Sequence, residues 1–322
     1  MTGPRILVVG AGSIGTRHAR NFQALGAIVE VTDPDTGRAA DCGAGTPVAD
    51  GLAHPDNYDG IVLASPTALH AEQLWAASTR PVLVEKPVAR RSADLDGLPA
   101  DAAVMVGYNL RFHEPVQRLM SMVHAGEAGN IVGARLWFGS HLPDWRPGVD
   151  YTTTYSARAE LGGGVLLDAI HELDLLLWLF SEHDDATFAV AGAVVARVGS
   201  LDIDVEDTVR AVLTHRQGTS ALIELDYLSR RYRRGIEVLG DRATLRLDWA
   251  RAVIEREDGD GVTTWPAATD VAESYRREAT CFMSWLGGGA DPPVDLETGL
   301  ASLRLAERVR AQGEARNDRR TV

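Results

Sequence analysis

The stretch "RILVVGAGSIGTRHARNFQAL", residues 5–25, constrains the fold more than any other. The aliphatic run at 5–10 predicts a buried strand, and the spacing over 13–25 predicts a helix closed by Gly26. Between them stand Gly10, Gly12 and Gly15 in G-x-G-x-x-G spacing, with Ser13 and Ile14 inside the turn. The first glycine permits a tight turn and the second lets backbone approach a pyrophosphate. The third lets the helix pack on the strand, while the helix N-terminus offers N–H groups and a positive dipole end. The plainer reading is an ordinary glycine turn. The order strand, turn, helix favours a dinucleotide. Asp33 ends the next predicted strand, 27–33. It can accept from adenosine ribose hydroxyls and repel a 2'-phosphate, which favours NAD and leaves NADP possible, with Arg38 nearby to soften the preference. The alternative reading is that Asp33 caps a helix near 36–41.

More short apolar runs follow at 60–65, 81–86 and 103–108, with helix-like segments between them. Such runs predict a parallel sheet covered on both faces, placing a first domain at 1–119. From 120 to 322 the rhythm changes. A helix at 114–125 leads to a strand at 131–140, an irregular stretch at 141–160 and a helix at 164–180. Strands are then expected at 187–198, 207–215, 219–228, 234–240 and 243–248, followed by helices near 271–286 and 296–312 and a frayed tail. Successive strands without intervening helices predict an antiparallel or mixed sheet. The net charge of -13 argues against nucleic acid and anionic membrane as partners. Two distant cysteines, Cys42 and Cys281, no leader pattern and no apolar run long enough to span a bilayer point to a cytoplasmic protein.

The chain has 31 arginines and a single lysine, Lys86, inside "VLVEKPVARR". Chance can leave one lysine in an arginine-biased chain. The sharper reading is a site that needs a slim ammonium where a planar guanidinium would not fit. A second set lies in "LGGGVLLDAIHELDLLLWLF", where Asp168 and His171 are three apart and so neighbours on one helix face. A carboxylate beside an imidazole can orient it for general base work, though the same pair can be merely structural. "HELD" begins like a zinc-binding H-E-x-x-H, but Leu175 stands at the second histidine position, so no metal site is expected.

Taken together, the glycine turn, Glu85-Lys86-Pro87 and "GGGVLLDAIHELD" resemble the glucose–fructose oxidoreductase / inositol dehydrogenase / rhizopine-catabolism (Gfo/Idh/MocA) family. "ASPTALHAE" (64–72) and "VGYNLRF" (106–112) support the resemblance. It implies an α/β protein with an N-terminal Rossmann domain and a C-terminal α/β domain built on a large open, mostly antiparallel sheet. It further implies NAD or NADP, a secondary alcohol of a sugar or cyclitol as substrate, and homodimers or homotetramers. By the same resemblance, Lys86 reaches the substrate hydroxyl and the nicotinamide end, and a cis bond precedes Pro87. His171 takes the hydroxyl proton, and Asp168 positions the histidine or the sugar. Ser65, Pro66, Thr67, His70 and Glu85 lie along the cofactor, and Tyr108, Asn109 and Arg111 near the substrate. In many members the acid precedes the histidine by four residues, whereas here the gap is three.

Arginine and aromatic residues recur in the 141–160 stretch, notably Trp145 and Arg158, and in "LSRRYRRG" (228–235). They suit an anionic sugar-like substrate. For 230–234 a solvated strand edge or subunit interface is the reading set ahead of substrate contact. The same fold also serves in NAD(P)-binding regulatory sensors without turnover, and retention of Lys86, Asp168 and His171 favours the enzyme.

Overall fold

The computed structural model describes residues 3–99, 101–182 and 184–318. Fourteen strands are described: β1 (Arg5–Val9), β2 (Ile28–Thr32), β3 (Thr46–Pro47), β4 (Gly60–Leu63), β5 (Val82–Glu85), β6 (Val104–Gly107), β7 (Ile131–Gly139), β8 (Phe188–Ala196), β9 (Thr208–His215), β10 (Ser220–Asp226), β11 (Arg233–Gly240), β12 (Thr244–Asp248), β13 (Val253–Asp258) and β14 (Gly261–Pro266). The α-helices are α1 (Ser13–Ala24), α2 (Thr36–Asp41), α3 (His70–Ala77), α4 (Glu114–His124), α5 (Val165–Asp168), α6 (His171–Leu179), α7 (Ala272–Leu286) and α8 (Leu296–Asp318). The chain divides into two compact units, 1–112 with 272–300 and 113–271 with 301–322. The division expected near 119 thus falls at 112, and a C-terminal segment returns to the first unit.

In the first unit β1 to β6 form one parallel sheet in the order β3-β2-β1-β4-β5-β6. That order reverses between β1 and β4, as in a Rossmann fold. Strands β4, β5 and β6 are buried at every residue, so their aliphatic runs show no alternation. The returning segment is held by packing between residues distant in sequence. The Phe282 ring meets Phe22 edge-on at 5.7 Å, and a Cβ on Gly60 would lie 2.9 Å from Phe282. The Val106 amide donates to the Val294 carbonyl. Nothing in the local pattern of 272–300 announces these partners.

In the second unit β7 to β14 form an eight-stranded sheet in the order β14-β13-β12-β11-β7-β10-β9-β8. Only the β7–β10 pair is parallel. Residues such as Ala211, Leu213, Ile223, Leu225, Val238 and Leu245 are buried, and alternate residues face out. The β13–β14 hairpin is not evident in the sequence because β14 is exposed along most of its length, leaving no alternation to read. The helix expected at 164–180 is broken. Gly164 enters α5 at φ 110°, Ala169 leaves it at φ −98° and ψ 32°, and α6 restarts at His171. Both pieces are buried almost all round, so periodicity carries no signal of the break. Residues 141–160 form a succession of short 3-10 turns. Helix α8 runs to Asp318, beyond the expected 312, and the last four residues of the tail lie outside the described residues.

Candidate active site

In the first unit the predicted residues gather at the C-terminal ends of β1, β4 and β5. Gly10 turns at φ 95°, and a Cβ there would lie 2.7 Å from the Ala64 carbonyl oxygen. A Cβ on Gly15 would lie 1.8 Å from the Gly10 oxygen, so the helix lies directly on the turn. A Cβ on Gly12 would meet nothing within 4 Å. Gly12 and Ser13 are exposed and Ile14 half-buried, and no side chain caps the N-terminus of α1. The turn therefore presents a helix N-terminus with no acid in its first turn and open space in front of it. This is the cradle that a pyrophosphate requires.

Asp33 borders that cradle and braces it. Its Oδ2 accepts from the Ala11 amide at 2.8 Å and its Oδ1 from the Asp35 amide at 2.9 Å. The cap of α2 is Asp35, which accepts from the Arg38 amide, and not Asp33. Two backbone bonds leave a carboxylate with capacity for ribose hydroxyls.

His70 ties two turns together. Its Nδ1 lies 2.8 Å from the Pro87 oxygen and its Nε2 2.9 Å from the Ser65 oxygen. The ring is buried, and burial lowers its basicity. A neutral ring has one N–H, so one of these two contacts is the donated bond. His70, expected along the cofactor, is buried and braces the turns that carry Ser65 and Pro87. The Ser65 hydroxyl donates to Gln73 at 2.6 Å, Pro66 is exposed and Thr67 is buried. The Lys86–Pro87 bond is cis and Lys86 is half-buried. Glu85 Oε1 lies 2.8 Å from His18 Nε2.

Tyr108, Asn109 and Arg111 follow β6 and are buried, Tyr108 completely. Asn109 Nδ2 donates to the Ser274 hydroxyl at 2.8 Å. The turn 109–112 packs on the returning helix α7, which is why side chains that read as substrate contacts are enclosed.

In the second unit Asp168 closes α5 and His171 opens α6, both buried. They are therefore not successive turns of one helix. Asp168 is held by two phenols. Tyr227 donates to its Oδ2 at 2.5 Å, and Tyr155 also hydrogen-bonds to it. Burial, with the charge of Asp168 adding to it, pushes both phenols well above their ordinary range, so they remain proton donors. Tyr155 lies in the aromatic stretch 141–160, but Tyr227 carries no local signal, since only the sheet brings residue 227 to residue 168.

Trp145, Arg146, Tyr151, Thr154 and Ser156 help to line a shallow surface depression in this unit. Arg158 is half-buried and its Nε donates to the Thr152 oxygen at 2.6 Å. The arginines of 230–234 divide. Arg234 makes a two-pronged ion pair with Glu172 at 2.7 and 3.0 Å, and Arg233 donates to Asp226 at 2.8 Å. Both lie on β11, an interior strand, so the strand-edge reading does not hold for them, while Arg230 and Arg231 precede the strand and are exposed. Leu175, at the histidine position that a metal motif would need, is fully buried.

A doubly wound parallel sheet with a glycine cradle at its switch point defines the first unit as a dinucleotide-binding Rossmann fold, and the second unit is built on a mostly antiparallel eight-stranded sheet. Residues 4–104 match the oxidoreductase family, NAD-binding Rossmann fold, and residues 116–246 match the GFO/IDH/MocA C-terminal domain. The chain belongs to the Gfo/Idh/MocA family. It is 27% identical to a myo-inositol 2-dehydrogenase of Thermotoga maritima, covering 94% of this chain and 93% of that protein. An inositol 2-dehydrogenase of Acidothermus cellulolyticus is 29% identical over 80% of this chain and 76% of its own. Among solved structures, the WlbA dehydrogenase from Bordetella pertussis, in complex with NADH and UDP-GlcNAcA, has the same fold. Its TM-score is 0.80, with 24% identity and 97% of both chains covered.

Proposed function

We propose that the chain interconverts a secondary alcohol and a ketone of a sugar, sugar derivative or cyclitol, with NAD preferred over NADP. The observation that carries this reading is the restraint on its three chemistry-bearing side chains. Lys86 stands on the turn braced by His70, Asp168 is gripped by two tyrosines, and His171 opens a buried helix. When bound, the nicotinamide supplies the hydride acceptor or donor. The chain's own residues do the rest. Gly10, Gly12, Gly15 and the first turn of α1 hold the phosphates, and Asp33 holds the adenosine ribose. The Lys86 ammonium binds the substrate oxygen and stabilises negative charge on it as its proton leaves. His171 takes that proton, and Asp168 keeps the site anionic and the imidazole oriented. Trp145, Arg146 and Arg158 offer an aromatic face and guanidinium groups that suit a sugar bearing a carboxylate or phosphate. Relatives named for inositol, and a neighbour solved with a nucleotide-linked sugar acid, support this substrate range.

The outward face of the open sheet supports self-association into a dimer or tetramer. Val212 and Leu222 are direct cross-strand partners on it, with Val194 and Leu239 on the same face, and all four are exposed. Around them Arg135 pairs with Glu224, and Arg246 with Glu237.

The test is a screen that follows NADH formation and consumption across cyclitols, aldoses, uronates and nucleotide sugars. A turned-over member identifies the substrate. Tight NAD binding without turnover of any member would argue for a sensor and against the enzyme reading.

A further inference from the structure

Behind the Lys86 turn lies a cluster to which the catalytic reading assigns no role. His18 on α1, Glu85 on β5 and Glu278 on α7 place a nitrogen and two carboxylate oxygens within 4.8 Å of one another. His18 and Glu278 are fully buried and Glu85 is 8% exposed. His18 and Glu85 make a hydrogen bond. Glu278 does not join it, and neither of its oxygens has a hydrogen-bond partner among the described residues. A buried carboxylate with no donor costs several kcal/mol when ionised, and a second carboxylate beside it raises that cost.

Other charged and titratable groups stand on the elements around this space. Arg17, on α1, lies over the Tyr275 ring at 4.7 Å. Tyr275 itself meets His18 edge-on at 5.8 Å. The thiol of Cys281, on α7, is pushed up by burial and then by Glu278. Arg111 lies on the turn packed against α7, and Lys86 follows Glu85.

We propose that Glu278 is a positioning residue for Lys86: it holds a proton at neutral pH and so presents a neutral acid, not a second carboxylate, to the Glu85–His18 pair. The proposal rests on the role given above to Lys86. Glu85 is the last residue of β5 and Lys86 the next residue in the chain. The geometry around Glu85 is tight, since a Cβ on Gly107 would lie 3.3 Å from its carboxyl carbon. Two like charges in that space would push the end of β5 and helix α7 apart and displace the lysine. A neutral Glu278 removes the repulsion and becomes a donor, with one water or a small rotation closing the remaining gap. Burial, and the Glu85 charge after it, push the Glu278 carboxyl well above its ordinary range, in agreement with this geometry.

The test compares wild type with Glu278→Gln, which mimics the neutral acid. Infrared spectra of the wild type at pH 7 should show the carbonyl band of a protonated buried carboxylic acid, absent from the variant. The folded state binds a proton that the unfolded state has released. The associated stability is therefore complete below the unfolded carboxyl range and lost as pH rises through the folded value. Relative to Glu278→Gln, the wild-type folding constant should fall by up to about tenfold per pH unit in that window. Turnover of the wild type should decline with alkaline ionisation of Glu278, and that limb should be missing from the variant. Parallel stability curves, or no protonated-acid band, would overturn the proposal. So would a stoichiometric divalent cation whose chelation destabilises the wild type but not Glu278→Gln. If Glu278→Gln does not fold, Glu278→Met replaces it in the same measurements. Spectrum and stability need no substrate. If both behave as expected but the alkaline limb is unchanged in the variant, the link to Lys86 fails; if no substrate is turned over at all, the enzyme reading fails while the proton assignment stands.

Discussion

A single ammonium and a single imidazole carry most of the proposed chemistry, and each makes a prediction of its own. Lys86→Arg keeps the charge but not the shape. NADH affinity should stay near wild type while kcat falls by at least about a hundredfold, the range lost when a donor aimed at developing negative charge is misplaced. Fluorescence titration and steady-state rates check this, and near-normal turnover would remove Lys86 from the mechanism. His171→Ala should lower kcat by about 10²–10⁴-fold, with partial rescue by added imidazole. An uninhibited variant would show that another group accepts the proton. Short motifs surround these two residues and Asp168, which is what made them candidates in the sequence. Their supports were not legible there. Tyr227 grips Asp168 across 59 positions of chain and His18 meets Glu85 across 67, and no local pattern encodes such pairs.

At the level of elements, the turn after β1 and the end of β10 are the places where one side chain decides local geometry. Gly15→Ala would set a Cβ 1.8 Å from the Gly10 oxygen, a clash with backbone that cannot rotate away. The cost should be at least the roughly 1–3 kcal/mol of overpacking, with NADH binding lost alongside. Thermal denaturation and titration read both effects. Asp226, at the end of β10, accepts from the Leu228 and Ser229 amides and from Arg233. Burial raises its carboxyl pKa, but the bonds from Ser229 and Arg233 outweigh it and hold the group below the ordinary carboxylate range. A depressed folded value contributes stability that is present above the unfolded carboxyl range and lost as pH falls through the folded value. Asp226→Asn should therefore cost about 1.5–3 kcal/mol at neutral pH and progressively less in acid. Denaturant unfolding at several pH values measures this, and a pH-independent cost would contradict it. The same scale explains the misread helix. Residues 164–180 are buried on almost every side, charged groups included, and that burial hid the break at Ala169 that separates Asp168 from His171.

For the whole molecule, the exposed face of the eight-stranded sheet predicts assembly. Leu222→Glu should shift the mass measured by light scattering toward the monomer while leaving NADH binding unchanged; an unaltered mass would place the interface elsewhere. Sequence alone determined the doubly wound first sheet, the glycine cradle and the class of chemistry. Each of these rests on short-range patterns: apolar runs of fixed length, glycines at fixed spacing and a lysine between an acid and a proline. Tertiary structure alone decided that residues 272–300 return to the first unit and that Tyr108, Asn109 and Arg111 are enclosed. It alone decided, too, that Asp168 and Glu85 have partners more than fifty residues away. The physical reason is that burial and long-range pairing depend on which surfaces meet when the chain compacts, and those meetings leave no period in the sequence.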